Sequence, residues 1–231
     1  MIAIDEGSAD YAVLPIENST AGIVNEIYDM LVEFENYIVG EQIIKIEHCL
    51  MAVPGTRIED IKTVYSHPQS LMQSARFLQG HTSWKQIGMN NNAFAARKVA
   101  EDKDKTQAAI AGIHAAKTYG LEILEKGINQ SVTNSTRFIV VTNRKIFLKD
   151  AGKVSICFEL PHESGSLYHM LSHFIYNNLN MNKIESRPIE DRNWEYRFFI
   201  DFDGNLADGA VKNALRGLRE EARNMRILGN Y

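Results

Sequence analysis

The chain of 231 residues carries 25 Lys and Arg against 29 Asp and Glu, a net charge of −4. It therefore lacks the positive field that holds nucleic acid or an anionic membrane surface by counterion release. Apolar residues make up 45% and charged residues 23%, the balance of an ordinary globular protein, and no apolar run approaches the ~18 residues of a membrane-spanning helix. The start, Met1-Ile-Ala-Ile-Asp-Glu-Gly7, has no basic region ahead of an apolar core, so a cytoplasmic location is expected. Cys49 and Cys157 lie far apart with no CxxC, which speaks against a disulfide framework and a thiolate zinc site. Sequons at Asn18, Asn129 and Asn134 would matter only in a secreted protein and are read as chance.

In chain order, Asp10 to Leu14 reads as a buried strand closed by Pro15. Asn18, Ser19 and Thr20 then supply capping side chains to a helix whose stripe is Ile23, Ile27, Met30, Leu31 and Phe34. Tyr37 to Val53 is β-branched and ends at Pro54-Gly55, predicting one or two strands. Ile61 to Tyr65 repeats the strand, Ser66-His67 the loop, and Pro68 opens a helix with Leu71, Ala75 and Leu78. Lys85 to Met89 with Asn91 to Ala100, and Ala108 to Ala111 with a helix from Ile113, make two further units. Thr136 to Thr142 is the clearest strand of this half. Such alternation predicts a mostly parallel sheet covered on both faces.

A boundary falls in Asn143 to Gly152, giving domains 1–145 and 152–231. The second part predicts a strand from Lys153 to Leu160, a helix from Gly165 to Leu179 and strands from Met181 to Arg187 and Trp194 to Asp203. A helix from Asp208 to Met225 and a short strand from Arg226 to Leu228 complete it. The order β-α-β-β-α-β is that of a ferredoxin-like unit.

Several segments are candidates for chemistry. Pro15-Ile-Glu-Asn-Ser-Thr-Ala-Gly22 sits where a strand meets a helix N-terminus, a place suited to a carboxylate or phosphate, although from this segment alone Ser19 or Thr20 acting as a plain cap, with Gly22 easing the turn, is the preferred reading. Ser66-His67-Pro68-Gln69 with Gln73 repeats the arrangement, and there too a cap and a satisfied loop histidine remain open. In Thr136-Arg137-Phe138, alternation puts Thr136 and Phe138 on one face and Arg137 on the other, where Arg137 either forks onto a carboxylate or lines a strand edge. His169 and His173 stand i,i+4 on a helix, with an exposed face the preferred reading over a metal pair. Glu185-Ser186-Arg187-Pro188 either clamps a ligand or simply ends a strand. No Walker loop, GxGxxG, HExxH or GxSxG occurs.

Together, Pro15 to Gly22, Tyr65 to Gln69, Thr136 to Phe138, Gly165-Ser166-Leu167 and Glu185 to Pro188, in this order and spacing, resemble the prephenate dehydratases over essentially the whole chain. The resemblance implies a two-lobed catalytic region of the type II periplasmic-binding-protein kind followed by an ACT regulatory domain. It implies conversion of prephenate to phenylpyruvate, water and carbon dioxide in phenylalanine synthesis, driven by aromatisation, with no metal or organic cofactor. Thr136 is then the catalytic group at the departing ring hydroxyl. As an unperturbed alcohol it works through a hydrogen bond that strengthens in the transition state rather than by full proton transfer. Glu17, Asn18, Ser19, Thr20, Ser66, His67, Gln73, Arg137 and Phe138 are the implied substrate-binding residues.

The implied effector is L-phenylalanine, with Gly165, Ser166, Leu167 and Asn180 as one wall of its site and Glu185, Ser186, Arg187 and Pro188 as another. Such sites lie between paired ACT domains, so a homodimer or homotetramer is expected, with no nucleic-acid or membrane partner. Family members carry a strand, a Gly-rich loop and about two helices before the segment matching Ala9-Asp10-Tyr11. The sequence thus reads as N-terminally truncated, a fragment of a longer polypeptide or of a mutase–dehydratase fusion. The alternative function is an inert phenylalanine-binding regulatory fragment; a generic solute receptor is the third reading, disfavoured by the absent leader.

Overall fold

The computed structural model describes residues 1–231. The chain folds into two compact units, one of Met1–Ile43 with Arg137–Tyr231, the other of Ile44–Thr136. It is an α/β protein with mixed sheets.

The inserted unit carries β4 (His48–Ala52), β5 (Thr63–Ser66), β6 (Lys85–Gly88), β7 (Gln107–Gly112) and β8 (Glu122–Lys126) in the order β6-β5-β7-β4-β8. β5 runs parallel to β6 and β7, whereas β4 is antiparallel to β7 and β8. Every residue of β4 is buried because both faces are covered. Cys49 and Met51 pack with Ala109 and Ala111 against the helices α5 (Asn92–Asp102) and α6 (Ile113–Tyr119). Leu50, Ala108 and Ile110 pack on the other side with Leu78 of α4 (Ala75–Gln79), which follows α3 (Pro68–Gln73).

The other unit starts with α1 (Ile2–Asp5), β1 (Ala12–Asn18), β2 (Gly22–Ile23) and α2 (Asn25–Glu33), followed by β3 (Tyr37–Lys45). The chain returns through β9 (Ser135–Thr142) and continues as β10 (Lys153–Glu159), α7 (Ser166–Tyr176), β11 (Met181–Pro188), β12 (Tyr196–Asp203), α8 (Gly209–Glu221) and β13 (Arg223–Asn230). Its eight strands form one sheet, β11-β12-β10-β13-β3-β9-β1-β2. Alternation along β10 sends Val154, Ile156 and Phe158 to a core closed by Met170, Phe174, Val211 and Leu218, while Cys157 joins Ile16, Tyr28, Leu31, Ile38 and Phe199 on the other side. β13 meets β3 in parallel at Gly229 and Ile38. A Cβ at Gly229 would strike the Ile38 carbonyl, so glycine lets these strands close.

Most expected elements are present, with five corrections. The sheets are mixed rather than mostly parallel. The sequence reading has no β8. β1 does not stop at Pro15 but runs to Asn18, since the fixed φ of proline suits an extended strand and costs only a ladder donor. Ser19 and Thr20 do not begin a helix: Asn18 Oδ1 accepts from the Thr20 and Ala21 amides at 3.0 and 2.8 Å and from the Thr20 hydroxyl at 2.8 Å. This local turn leads through Gly22, at φ +86°, into β2, and α2 begins only at Asn25, with Val24 as its unassisted N-cap. Finally α8 ends at Glu221, because Arg223 already pairs with Glu159 in the ladder of β13 with β10. No helix is long and apolar enough to cross a membrane.

Candidate active site

In the inserted unit, Ser66 ends β5 fully buried. Its hydroxyl lies 2.7 Å from the Ile110 carbonyl and 2.9 Å from Asn92 Oδ1. The next residue, His67, caps α3: its Nδ1 accepts from the Gln69 amide at 3.2 Å, with Pro68 as the first helical residue. Asn92, which the sequence reading did not single out, ties the two together. Its Oδ1 accepts from the His67 amide at 3.0 Å and its Nδ2 donates to Ser70 Oγ at 2.9 Å.

Gln73, the last residue of α3, is held by residues far away in sequence. His48 Nε2 lies 2.8 Å from Gln73 Oε1, and Asn134 Nδ2 donates to the same oxygen at 3.2 Å. The backbone carbonyl of Gln73 also accepts from the Gln130 amide at 2.8 Å. Asn134 is buried, and two residues on Thr136 stands half-buried as the second residue of β9. Asn129 fixes the same loop, accepting from the His48 amide at 3.1 Å and donating to the Ser131 carbonyl at 2.8 Å. Ser66 and His67 are thus tied together by Asn92, and Gln73 is held by His48 and Asn134, whose loop Asn129 also fixes. The sequence singles out none of His48, Asn92, Asn129 and Asn134 for chemistry; His48 and Asn134 are buried, and Asn92 and Asn129 half-buried.

In the other unit, Arg137 is turned onto the protein itself. Its Nε donates to Glu41 at 2.7 Å, and its Nη2 donates to Asp201 at 2.7 Å and to the Tyr231 hydroxyl at 3.1 Å. Burial would lower its pKa, but Asp201, Tyr231 and Glu41 raise it instead. Glu41 also pairs with Lys153. A ligand carboxylate on Arg137 would have to displace one of these partners. Glu17, next to the Asn18 turn, pairs with Lys183 of β11 at 2.8 Å. Ser19 and Thr20 are exposed at the tip of that turn, and Phe138 is half-buried in β9.

The remaining motif residues lie among β10 to β13. Gly165 has φ +85° and caps α7. Ser166 lines a pocket of about 340 Å³ with Leu160, Pro161, Glu163, His169 and Glu221. Pro188 pairs with Tyr196, and Glu159 with Arg197, so the ends of β11 and β10 and the start of α7 share one end of the sheet. Asn180 lies at the opposite end, donating to Asp203 at 2.8 Å. Within one chain, then, Gly165, Ser166 and Leu167 do not converge with Asn180. Arg187 donates twice to Asp29 of α2, at 3.1 and 2.7 Å. His173 faces Glu221 at 3.0 Å.

The fold is that of an α/β protein with mixed sheets, with part-buried polar clusters around Ser66 and Gln73. The family model "Prephenate dehydratase" matches residues 1–146, and the chain belongs to that family. It is 36% identical over 230 residues to the bifunctional chorismate mutase/prephenate dehydratase of Escherichia coli K12, covering 99% of this chain and 60% of that protein. It therefore spans about 60% of the length of that curated relative. Among solved structures, the prephenate dehydratase of Arthrobacter aurescens in complex with L-Phe superposes with TM-score 0.90 at 31% identity, covering all of this chain and 77% of that one. A protein described as GqqA, a novel type of quorum quenching acylase, superposes with TM-score 0.89 at 30% identity, with coverages of 99% and 84%.

Proposed function

We propose that this protein is a prephenate dehydratase, a carbon–oxygen lyase that forms phenylpyruvate, water and carbon dioxide, and that it works in the cytoplasm in phenylalanine synthesis. The observation that carries this reading is Thr136 at the start of β9, following a loop pinned by His48, Gln73 and Asn134. Aromatisation supplies the driving force, so the protein has to orient a dianion and ease departure of the ring hydroxyl. Thr136 hydrogen-bonds that hydroxyl, and the bond strengthens as the oxygen takes up charge. Ser66, His67 and Gln73 orient the substrate from β5 and α3, and Glu17, Asn18, Ser19, Thr20 and Phe138 take the substrate-binding roles that the resemblance gives them. Arg137 is reassigned from substrate ligand to structural ion pair on the strength of its partners.

Residues 1–145 then make up the catalytic part, built like a two-lobed periplasmic-binding protein, and residues 152–231 an ACT domain answering to L-phenylalanine. The β-α-β-β-α-β order, with β13-β10-β12-β11 adjacent in the sheet, supports the second assignment. β11 is an edge strand, free to pair with a second copy in a homodimer or homotetramer. Pairing of that kind would bring Asn180 of one copy toward Gly165, Ser166 and Leu167 of another, with Glu185, Ser186 and Pro188 as the facing wall.

The test is phenylpyruvate formation from prephenate by the wild-type chain and by Thr136→Ala. A loss of about 100-fold or more in kcat is expected for a group assisting a leaving hydroxyl. Undiminished turnover in Thr136→Ala refutes the assignment. A wild-type chain that binds L-phenylalanine without turnover points to the inert regulatory reading, and hydrolysis of an acylated substrate offered in a separate assay would favour the acylase likeness.

A further inference from the structure

Lys183 lies in β11, a strand placed by sequence order far from any dehydratase chemistry, yet its ammonium reaches Glu17 Oε2 at 2.8 Å. Its side chain is only 11% exposed, which separates it from the solvated surface pairs that contribute little. The ammonium also sits 5.4 Å from the centre of the Tyr28 ring, on α2. The β11 ladder with β12 slips between Met181 and Lys183, the kind of irregularity that re-aims a side chain. Glu17 itself is backbone-paired to Ile23 immediately before the Asn18 turn, so its side chain is what remains to be placed.

We infer that Lys183 is a positioning residue of the dehydratase, holding Glu17 through their ion pair and passing effector occupancy at Glu185–Pro188 on to it. The inference rests on the dehydratase reading and deepens it. Alternation puts Lys183, Glu185 and Arg187 on the same, half-covered face of β11, while Asn182, Ile184, Ser186 and Pro188 are exposed. From that face Arg187 grips Asp29 of α2 while Lys183 grips Glu17 of β1. One strand thus holds both β1, which carries Glu17, and α2, the helix that follows β2. A ligand that shifts Glu185 or Arg187, two and four residues along the same strand, moves Lys183 with them. Lys183 touches no substrate in this arrangement; it acts through Glu17.

The test uses the full chain. kcat and KM for prephenate, with and without L-phenylalanine, are measured for wild type, Lys183→Met, Lys183→Arg, Glu17→Gln and the Lys183→Met/Glu17→Gln pair. Lys183→Met is expected to lower kcat/KM about tenfold, a change that nearly vanishes in the Glu17→Gln background, with Lys183→Arg recovering most of it. The L-phenylalanine response should shrink in Lys183→Met although calorimetry shows the effector still bound. A merely structural tie would lower the melting temperature and leave those kinetic ratios and the effector response unmoved, and that result overturns the inference. If Lys183→Met does not fold, Glu17→Gln decides, since wild-type kcat/KM in that variant equally overturns it. A wild-type chain that neither binds nor converts prephenate overturns the dehydratase reading and this inference together, whereas wild-type turnover with an unaltered Lys183→Met sinks the inference alone.

Discussion

Replacing Arg137 by Met keeps the length of the side chain and removes its charge from among Glu41, Asp201 and Tyr231. The Arg137 and Asp201 side chains are 13% and 12% exposed, and that of Glu41 24%. Removing one partner of a buried ion pair costs about 3–5 kcal/mol, mainly by stranding the other charge. Here Glu41 keeps Lys153, and Asp201 keeps the Ser155 hydroxyl at 2.5 Å. The expectation therefore falls at the low end, about 3 kcal/mol, or roughly 6–12 °C in melting temperature for a chain of this size. Adding Asp201→Asn to Arg137→Met should cost less than the sum of the two single changes, because the stranded carboxylate is then gone. Circular dichroism melts and prephenate kinetics on the same samples provide the assay. A melting temperature within about 2 °C of wild type, combined with a sharply raised KM, would refute the structural role and return Arg137 to the substrate.

Gly229→Ala should abolish or strongly destabilise folding, since its Cβ meets the Ile38 carbonyl where β13 joins β3; a soluble variant with wild-type melting would contradict that junction. Burial pushes the Glu41 and Glu159 carboxyls up, but Lys153 and Arg137 on the first, and Arg197, Asn224 and Arg192 on the second, hold both below the ordinary 4.5. The unfolded chain then binds more protons, so this stability is complete above that ordinary value and is lost as pH falls through the lower folded values. Urea midpoints should be flat from about pH 7 to 5 and drop below it, less steeply in Glu159→Gln, and an equal acid slope in that variant would rule out the Glu159 contribution. Burial raises both thiols, Cys157 to about 11 and Cys49 also upward, so a disulfide thiol reagent at about pH 8 should label neither until denaturant is added. Labelling of the native protein would refute their burial.

Periodicity and punctuation made the strand-and-helix order legible because core stripes and turn residues are local signals. The β-α-β-β-α-β run from Lys153 onward is an example, matched element for element. Strand direction was not legible: β4 is buried on both faces and so reads like a parallel strand, although it is antiparallel to both neighbours. The turn at Asn18 was misread because Asn, Ser and Thr offer the same oxygen to a helix cap and to an Asx turn, and only the positive φ of Gly22 decides between them. Asn92 and Asn134 could not be picked out, since an asparagine that organises other residues carries no pattern of its own.

The charged motif residues show why ligand roles are hard to assign from sequence. Arg137, Glu17 and Arg187 each look as though they face a small anion or cation. Each meets an opposite charge on another element of the same unit, namely Asp201 on β12, Lys183 on β11 and Asp29 on α2. All three pairs join the strands that follow Gly152 to the segments that precede it, and the shared sheet makes the same join through β13 and β3. An event at β11 or β12 therefore needs no distant relay to be felt at Glu17, or at Arg137 next to Thr136, because the contacts are already direct. A neutral substitution at any one of these pairs therefore perturbs stability along with whatever that contact transmits, and double-mutant cycles are required to tell the two apart.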